Sequence, residues 1–261
     1  MATISSEQPV AKVLITRPEG QADGLADAVT AAGFEAKVVP VMAIDALTEQ
    51  QLRPAINGVL DLDNYQHIIF ISTNAVRYGM GLVDQYWPQW PERVRWHAIG
   101  KATAEALQRF DIDAELNGES NNSEALLANP SLQQLSGQKV LIFRGQGGRE
   151  HLAEVLRQRG AAVDYAEVYC RRAAIENRES LQQALAESVD VIVAASADSV
   201  KNLLQLAEKQ SILEIPLVVP SARVAMIATT AGFVRVLIAA NAGSAAVIAQ
   251  LQLHVSGQAN D

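Results

Sequence analysis

Residues 12–41 read KVLITRPEGQADGLADAVTAAGFEAKVVPV, and residues 139–168 read KVLIFRGQGGREHLAEVLRQRGAAVDYAEV. The two stretches align without a gap at a constant offset of 127 residues, and ten of their thirty positions are identical. Each reads as an apolar strand, a turn, an amphipathic helix, a glycine and a second strand. Gly33 and Gly160 stand where a left-handed helix C-cap is expected. The chain therefore contains an internal repeat of one α/β unit.

The similarity between the two halves continues along the chain. HIIFISTNAV (67–76) is similar to DVIVAASADSV (190–200), AIGKATAEAL (98–107) to VPSARVAMIA (219–228), and AELNGESNNSEALL (114–127) to RVLIAANAGSAAVI (235–248). The offset shrinks from 127 to about 124 and then to 121 residues, as trimming of loops would produce. Strands that alternate with helices predict parallel sheets with right-handed crossovers. The predicted fold class is α/β, with two doubly wound parallel-sheet lobes.

Two further segments predict how the lobes are joined. DYAEVYCRRAAI (164–175) alternates in the manner of a strand, and its counterpart in the first copy is VVPVMAID (38–45). If both cross between the lobes, 41–46 and 166–172 form a two-stranded β linker. One lobe is then discontinuous, comprising 1–40 plus 173–261, and the other spans 47–165. The N-terminal βαβ unit would fold with the C-terminal half.

Composition limits the class of protein. The formal net charge is −8 and the pI is near 5.1, which argues against a general nucleic-acid binder with a basic face. The single cysteine, Cys170, excludes an internal disulfide and a cysteine-rich metal cluster. The first residues lack a basic region followed by an apolar run, and the apolar stretches are shorter than a span of about 20 residues. We therefore expect a cytoplasmic protein without membrane or nucleic-acid partners.

The fold class predicts where a ligand binds. Two facing doubly wound lobes form a cleft at the carboxyl ends of their strands, where strand-to-helix turns line the rim. Helix N-termini there present free N–H groups and partial positive charge, which suits anions. The predicted binding residues are Arg17, Ser72, Thr73, Asn74, Gly100, Lys101, Thr103, Arg144, Gly145, Gly147, Gly148, Ser196, Ser199, Ser221 and Arg223, with the turn 144–149 included as a whole.

Nucleotide motifs do not match the glycine-rich turn. A dinucleotide fingerprint requires G-x-G-x-x-G, but Glu150 occupies the third glycine position after Gly145 and Gly147. Gly100-Lys101 suggests a P-loop, yet Arg95 stands at its required first glycine. A nucleotide-dependent α/β enzyme stays a weaker alternative.

Metal and hydrolase sites are also weakly indicated. His67, His97, His151 and His254 lack ligand spacing and are interpreted as surface or core histidines, so no metal is expected. No serine lies in a G-x-S-x-G motif.

Arg17 and Arg144 recur at the same strand end of the two copies and leave two roles open. The planar guanidinium could cap a neighbouring loop, or it could bind a carboxylate of a ligand. The serine-containing turns are similarly ambiguous, because Ser72-Thr73-Asn74 and Ser196-Ala197-Asp198-Ser199 are good N-cap sequences whether or not a ligand is present.

Taken in order along the chain, the motifs resemble the uroporphyrinogen-III synthase family. The resemblance covers almost the whole sequence and lies in VLITRPEGQ, FISTNAV, AIGKATAEAL, LIFRGQGGREHL, EVYCRR and VPSARVAMIATTAGF. It implies a monomeric lyase of tetrapyrrole and heme biosynthesis. The implied substrate is linear hydroxymethylbilane, an octacarboxylate, which is cyclised with loss of water and inversion of ring D through a spiro intermediate. The resemblance implies neither cofactor nor metal.

The same resemblance assigns a role to Tyr169, which matches the family's linker tyrosine. That tyrosine is suggested to hydrogen-bond the departing hydroxyl; an aromatic that only packs the linker is the alternative. The glycines of the turn at 145–148 would let the backbone approach a propionate or acetate. The sequence departs from the family at Ala195-Ser196-Ala197 and Ser221-Ala222, where Thr-Ser and Thr-Thr are common, so side-chain contacts from that lobe are in question. A two-lobed anion-binding or sensor protein without catalysis is the second function considered.

Overall fold

The computed structural model describes residues 10–116, 123–148, 150–207 and 212–258. Its strands are β1 (Lys12–Ile15), β2 (Glu35–Val38), β3 (Met42–Ala46), β4 (His67–Phe70), β5 (Arg95–Ala98), β6 (Lys139–Gly145), β7 (Ala162–Ala173), β8 (Val191–Val193), β9 (Leu217–Val219) and β10 (Val236–Ile238). Its helices are α1 (Asp23–Ala31), α2 (Glu49–Leu60), α3 (Thr73–Tyr86), α4 (Lys101–Gln108), α5 (Ser123–Leu127), α6 (His151–Gln158), α7 (Arg178–Ala186), α8 (Ala197–Leu206), α9 (Ala222–Ala231) and α10 (Ser244–Gln258). Within the described residues, none of these helices has the length and apolar content that crossing a membrane requires.

The chain divides into two compact units. Unit 1 comprises Met1–Ala43 and Arg172–Asp261, and unit 2 comprises Ile44–Arg171. The chain leaves unit 1 within β3 and returns to it at the end of β7, and these two strands are neighbours in one sheet. Of the expected linker segments, 41–46 covers β3 and the residue before it, and 166–172 lies within β7.

Unit 1 contains a five-stranded sheet of order β10-β9-β8-β1-β2. β1 pairs in parallel with β2 on one side and with β8 on the other. Because successive side chains of a strand point to opposite faces, Leu14 packs into one apolar cluster while Val13 and Ile15 pack into another. The sheet is therefore covered on both faces, as parallel sheets require.

Unit 2 contains a second five-stranded sheet of order β3-β7-β6-β4-β5. β6 is central, and its Leu141 and Phe143 face one cluster while Val140 and Ile142 face the other. The first of these clusters is aromatic: the rings of Phe70 and Phe143 stack with centroids 4.5 Å apart. The prediction of an α/β fold with two parallel sheets is confirmed.

The internal repeat is visible in both strand orders. β9, β8, β1 and β2 of unit 1 correspond to β5, β4, β6 and β7 of unit 2. The counterpart of β10 is reduced to an isolated bridge between Glu115 and His97. Residues 117–122 of the matched segment lie outside the described residues. Each sheet thus combines strands from both copies: in unit 1 the first-copy strand β1 pairs with the second-copy strand β8, and in unit 2 the first-copy strand β4 pairs with the second-copy strand β6.

The glycines predicted to cap α1 and α6 have the expected conformation. Gly33 has φ of +87° and Gly160 has φ of +94°, both in the left-handed region that side chains rarely adopt. At Gly160 a Cβ would also lie 2.9 Å from the Ser136 backbone. The helix-to-strand turn of each copy is therefore set by a residue without a side chain.

Candidate active site

Helix N-termini gather at the carboxyl edge of each sheet. In unit 2, Ser72 and Gly100 are the N-caps of α3 and α4, directly after β4 and β5. In unit 1, Ser196 and Ser221 are the N-caps of α8 and α9, after β8 and β9. This is the edge at which doubly wound sheets bind their ligands.

The three serines cap their helices in the same way. The Oγ of Ser72 accepts a hydrogen bond from the Ala75 amide at 3.0 Å, and that of Ser196 accepts one from the Ser199 amide at 3.1 Å. Ser221 Oγ lies 3.4 Å from the Val224 amide. Local sequence alone explains these bonds, since serine at an N-cap satisfies an amide left unpaired by the helix.

Tyr169 lies at this edge of unit 2 because of an irregularity in β7. Arg144 of β6 pairs with Glu167, but the next residue, Gly145, pairs with Tyr169, so Val168 is an extra residue in the ladder. Such bulges bend a strand and re-aim its side chains. The ring of Tyr169 then crosses Gly145, where an added Cβ would lie 2.5 Å from Cε2 of the ring. Gly145 is glycine because it accommodates Tyr169.

The hydroxyl of Tyr169 is held by two groups. It lies 3.2 Å from Ser72 Oγ and accepts a hydrogen bond from Nη2 of Arg171 at 3.1 Å. The Tyr169 residue is completely buried, and its ring stacks on that of Tyr78 with centroids 5.8 Å apart. Tyr169 is therefore compatible with both interpretations, as a packing aromatic and as a hydrogen-bonding group. Its ring packs in the core, and its hydroxyl belongs to a polar cluster at the strand ends.

Arg144 is bound within its own loop. Its guanidinium donates to the carbonyls of Gly145 and Gly147 and to the carboxylate of Glu150 at 3.0 Å, and it lies over the ring of Tyr165. Tyr165 in turn donates to Glu150, and this bond, ahead of the nearby Arg144, lowers the pKa of the Glu150 carboxyl. Arg144 is 2% exposed, so of its two predicted roles the structure favours capping a loop over gripping a ligand carboxylate.

Contacts within the protein explain two of the three glycines in the turn after β6. Gly145 makes room for Tyr169, and a Cβ at Gly148 would lie 2.8 Å from Nη2 of Arg144. Only at Gly147, with φ of +67°, would a Cβ meet no atom within 4 Å. Contacts within the protein thus account for glycine at 145 and 148, and the approach of a carboxylate to this turn stays a prediction. Arg149 lies outside the described residues.

Arg17 occupies the equivalent place in unit 1 and has different partners. Its Nη2 donates to the carbonyl of Ala242, in the turn between β10 and α10. The side chain is half-buried, and burial lowers the pKa of its guanidinium. Its Nε is buried and has no hydrogen-bond partner among the described residues. Like Arg144, it caps a loop.

The other predicted residues differ in exposure. Thr73, Lys101 and Arg223 are exposed, and Asn74 is half-buried. Thr103 and Ser199 are buried, at 4% and 2% exposure, within the first turns of α4 and α8. The side chains of these two residues are therefore buried, and their contact with a ligand stays a prediction.

Two of the four histidines, separated by thirty residues, form a buried pair. His67 Nδ1 lies 2.9 Å from His97 Nε2, and His67 Nε2 lies 2.7 Å from the side-chain oxygen of Gln138. Glu115 approaches His97 Nδ1 at 3.7 Å. Burial, followed by the neighbouring His67, lowers the pKa of His97 to about 4. In the parts of the chain that the structure describes, no group of three or more His, Cys, Asp or Glu residues is arranged to hold a metal ion.

The sequence does not single out two residues at this edge of unit 2: Arg171, which contacts Tyr169, and Glu150, which contacts Arg144. Arg171 could have been found, because it lies two positions after Tyr169 in a strand and therefore on the same face. In the sequence, Glu150 stands out only because it occupies the third glycine position of a dinucleotide motif. Nothing in the sequence pairs it with Arg144 and Tyr165.

Comparison with known proteins identifies the family. The family model described as "Uroporphyrinogen-III synthase HemD" matches residues 23–249. The uroporphyrinogen-III synthase of Salmonella typhimurium is 32% identical over 92% of this chain and 99% of its own length. The chain belongs to the uroporphyrinogen-III synthase family. The resemblance drawn from the sequence motifs is thereby confirmed.

Other members of the uroporphyrinogen-III synthase family agree with this result. The Proteus mirabilis enzyme is 38% identical over 61% of this chain and 79% of its own length. The solved structure of the Helicobacter pylori enzyme matches with a TM-score of 0.60 at 14% identity, covering 95% of this chain and 99% of that one, which shows a shared fold. The alternative of a non-catalytic anion-binding protein has no support among these relatives.

Proposed function

We propose that this chain converts linear hydroxymethylbilane into cyclic uroporphyrinogen III, with Tyr169 assisting departure of the terminal hydroxyl. The observation that carries the proposal is the Tyr169 hydroxyl, held by Ser72 and Arg171 at the carboxyl edge of the unit 2 sheet. Family membership supplies the reaction, and this cluster supplies a hydrogen-bond donor for its first step.

Each unit by itself offers helix N-termini and exposed cations that suit carboxylates of the substrate. Ser72 and Gly100 begin helices in unit 2, and Ser196 and Ser221 begin helices in unit 1. Amides in the first turn of a helix and the helix dipole both favour anions. Lys101 and Arg223, exposed beside two of these caps, add positive charge. Gly147 offers backbone in open space at the turn after β6.

The proposed chemistry begins when the pyrrole nitrogen adjacent to the terminal carbon helps expel the hydroxyl. The hydroxyl takes up a proton and leaves as water, and an azafulvene cation remains. Ring D attacks through its substituted carbon to give a spiro intermediate, which fragments and recloses at the free α-carbon of ring D, so that ring D is inverted. That carbon then loses its proton, which balances the proton taken up by the leaving hydroxyl. The enzyme must chiefly hold geometry and stabilise developing charge, because the unassisted closure gives the non-inverted isomer.

Isomer analysis tests the activity directly. Freshly prepared hydroxymethylbilane is incubated with the protein, and the uroporphyrin isomers are separated after oxidation. We expect predominantly isomer III. Isomer I at the rate of the uncatalysed control would reject the activity and leave an anion-binding protein.

Replacement of Tyr169 tests its role. One hydrogen bond to a leaving group in a buried site contributes about 2.7–4 kcal/mol, and a less enclosed site loses less. We expect Tyr169→Phe to lower kcat by roughly ten- to several-hundred-fold with little change in KM, because the bond strengthens mainly in the transition state. The product should stay predominantly isomer III. Wild-type kcat would reduce Tyr169 to a packing residue, and a switch to isomer I would assign it control of ring D.

We further propose that no metal or cofactor takes part. The reaction loses water and exchanges carbon–carbon bonds without net oxidation, so it requires no electron acceptor. Prolonged treatment with EDTA should leave kcat unchanged. A loss of activity that zinc restores would contradict this.

The domain arrangement, assembly and location are proposed as well. The lobe of 1–40 plus 173–261 would need both of its chain segments to fold, and a fragment of residues 1–130 would also lack the end of the lobe of 47–165. Residues 1–130 expressed alone should therefore give no dispersed NMR spectrum. A monomer that binds no nucleic acid agrees with the net charge of −8. A reducing cytoplasm agrees with the single free cysteine, Cys170. Sedimentation analysis and cell fractionation test these two points.

A further inference from the structure

We propose that Ser72 and Arg171 are positioning residues that together support the Tyr169 oxygen while its proton is given to the leaving hydroxyl. The inference rests on the proposed function of Tyr169 and adds the groups through which that tyrosine works. Both contact the phenol oxygen directly, at 3.2 Å and 3.1 Å.

The bonding of Ser72 leaves its proton available to Tyr169. Its Oγ already accepts from the Ala75 amide at 3.0 Å, which holds the oxygen in place at the start of α3. A serine hydroxyl can still donate one proton and accept at a second lone pair. When Tyr169 turns its proton toward a ligand, the Ser72 hydroxyl can therefore rotate to donate to the phenol oxygen.

Arg171 can only donate. A guanidinium carries five N–H groups, no acceptor and a permanent positive charge. Its Nη2 bond to Tyr169 therefore fills one lone pair of the phenol oxygen. The rest of Arg171 is exposed, so ordering it does not require an unpaired charge in the core.

Two donors on one phenol oxygen make that phenol a stronger donor. Negative charge develops on the Tyr169 oxygen as its proton moves toward the leaving group, and each supporting hydrogen bond stabilises that charge. Ser72 and Arg171 are in place before the step, because the first is held by a helix cap and the second already donates to the phenol oxygen. The support therefore needs little reorganisation.

The internal repeat shows that helix capping alone does not require this arrangement. Ser196 caps α8 as Ser72 caps α3, but its hydroxyl pairs with Ser199 Oγ at 3.0 Å. The position equivalent to Tyr169 in the first copy, by the offset of 127 residues, is Met42. The pairing of a cap serine with a tyrosine hydroxyl is therefore specific to the unit 2 edge.

Double-mutant cycles with the full-length protein test the proposal. Ser72→Ala and Arg171→Met are each made in the wild type and in Tyr169→Phe, and kcat, KM and the isomer ratio are measured. In the wild type we expect each substitution to lower kcat by about ten-fold, the loss of one supporting donor in a preorganised site. In Tyr169→Phe, which lacks the oxygen, neither substitution should lower kcat further.

Matched controls separate this role from folding. Thr48→Ala removes the N-cap of α2, in the same unit as Ser72, and should leave kcat unchanged although it lowers stability. Arg172→Met removes the neighbouring arginine, which pairs with Glu176, and should also leave kcat unchanged. Ser72→Thr keeps both cap and hydroxyl and should retain most of the wild-type kcat.

Each outcome decides one of the two proposals. Suppose that Tyr169→Phe lowers kcat, but that Ser72→Ala and Arg171→Met have no effect or lower kcat by the same factor with and without Tyr169. The positioning roles are then wrong, and the role of Tyr169 stands. If Tyr169→Phe has wild-type kcat, the proposed role of Tyr169 fails. Circular dichroism checks that both Ser72 variants fold. If Ser72→Thr is folded but loses as much kcat as Ser72→Ala, the donor role of Ser72 is rejected.

Discussion

The two units of this chain have corresponding strand orders but different interiors. In unit 1 the buried polar side chains among the described residues are Thr16 and Ser199; in unit 2 they are His67, His97, Thr103, Asn129 and Arg144. A parallel sheet buried on both faces is usually filled with aliphatic side chains, as unit 1 is. Unit 2 has instead buried titratable groups and hydrogen-bond networks, so pH and polar substitutions should act mainly there.

The equivalent arginines illustrate the difference at one position. Arg144 is enclosed by two carbonyls, a carboxylate and a tyrosine ring, whereas Arg17 is half-buried and donates to one carbonyl of a neighbouring turn. The two copies of the repeat share the arginine and its place at the strand end. The surroundings of each strand end determined what the guanidinium does.

The three tryptophans allow the units to be followed separately. Trp87, Trp90 and Trp96 all lie in unit 2, so intrinsic fluorescence reports its unfolding, while far-ultraviolet circular dichroism reports both units.

The largest expected effect is acid destabilisation of unit 2. Burial, followed by His67, lowers the pKa of folded His97 to about 4, against 6.5 when unfolded. Between these values the unfolded chain binds a proton that the folded chain does not, so stability falls as the pH is lowered. We expect unit 2 to lose about 3 kcal/mol between about pH 7 and pH 4 through this group. Urea unfolding followed by fluorescence measures it.

A control for this pH effect is His97→Gln, which removes the titrating ring. Its fluorescence-detected stability should depend less steeply on pH over the same range. Equal slopes for the two proteins would show that His97 does not govern the acid sensitivity of unit 2.

A smaller effect should distinguish the two arginines. Arg144→Met removes the donor to the carbonyls of buried Gly145 and exposed Gly147 and leaves Glu150 without its arginine, and we expect a loss of about 2 kcal/mol in the fluorescence transition. Arg17→Met removes one bond from a half-buried side chain and should cost about 1 kcal/mol in unit 1, followed by circular dichroism. Equal losses of stability in the two variants would show that the two arginines contribute alike, in contradiction to this comparison.

The smallest effect should be the same in both units. Gly20 and Gly147 are equivalent in the repeat, have φ of +70° and +67°, and would place a Cβ in open space. Alanine at either position is therefore disfavoured only by its backbone conformation, at about 1 kcal/mol. We expect Gly20→Ala and Gly147→Ala to lower stability equally in urea titrations. A markedly larger loss at Gly147 would mean that its turn is strained beyond what the repeat shares.

The sequence by itself determined the features that depend on neighbours along the chain. Strand and helix alternation followed from apolar periodicity, the stops at Gly33 and Gly160 from the cost of a left-handed residue with a side chain, and the caps at Ser72, Ser196 and Ser221 from the unpaired amides of a helix start. The repeat extended these local rules to the whole chain and indicated the family.

Only the tertiary structure decided which side chains meet. Arg171 could have been placed beside Tyr169 by strand periodicity, but the bulge that sets Tyr169 against Gly145 depends on the pairing of β6 with β7. The contact of His67 with His97 depends likewise on the register of β4 against β5. The physical reason is that a hydrogen bond or a buried pair requires atoms within about 3 Å. Positions to that precision are set by how strands pair and pack, and these pairings join residues that are far apart in the sequence.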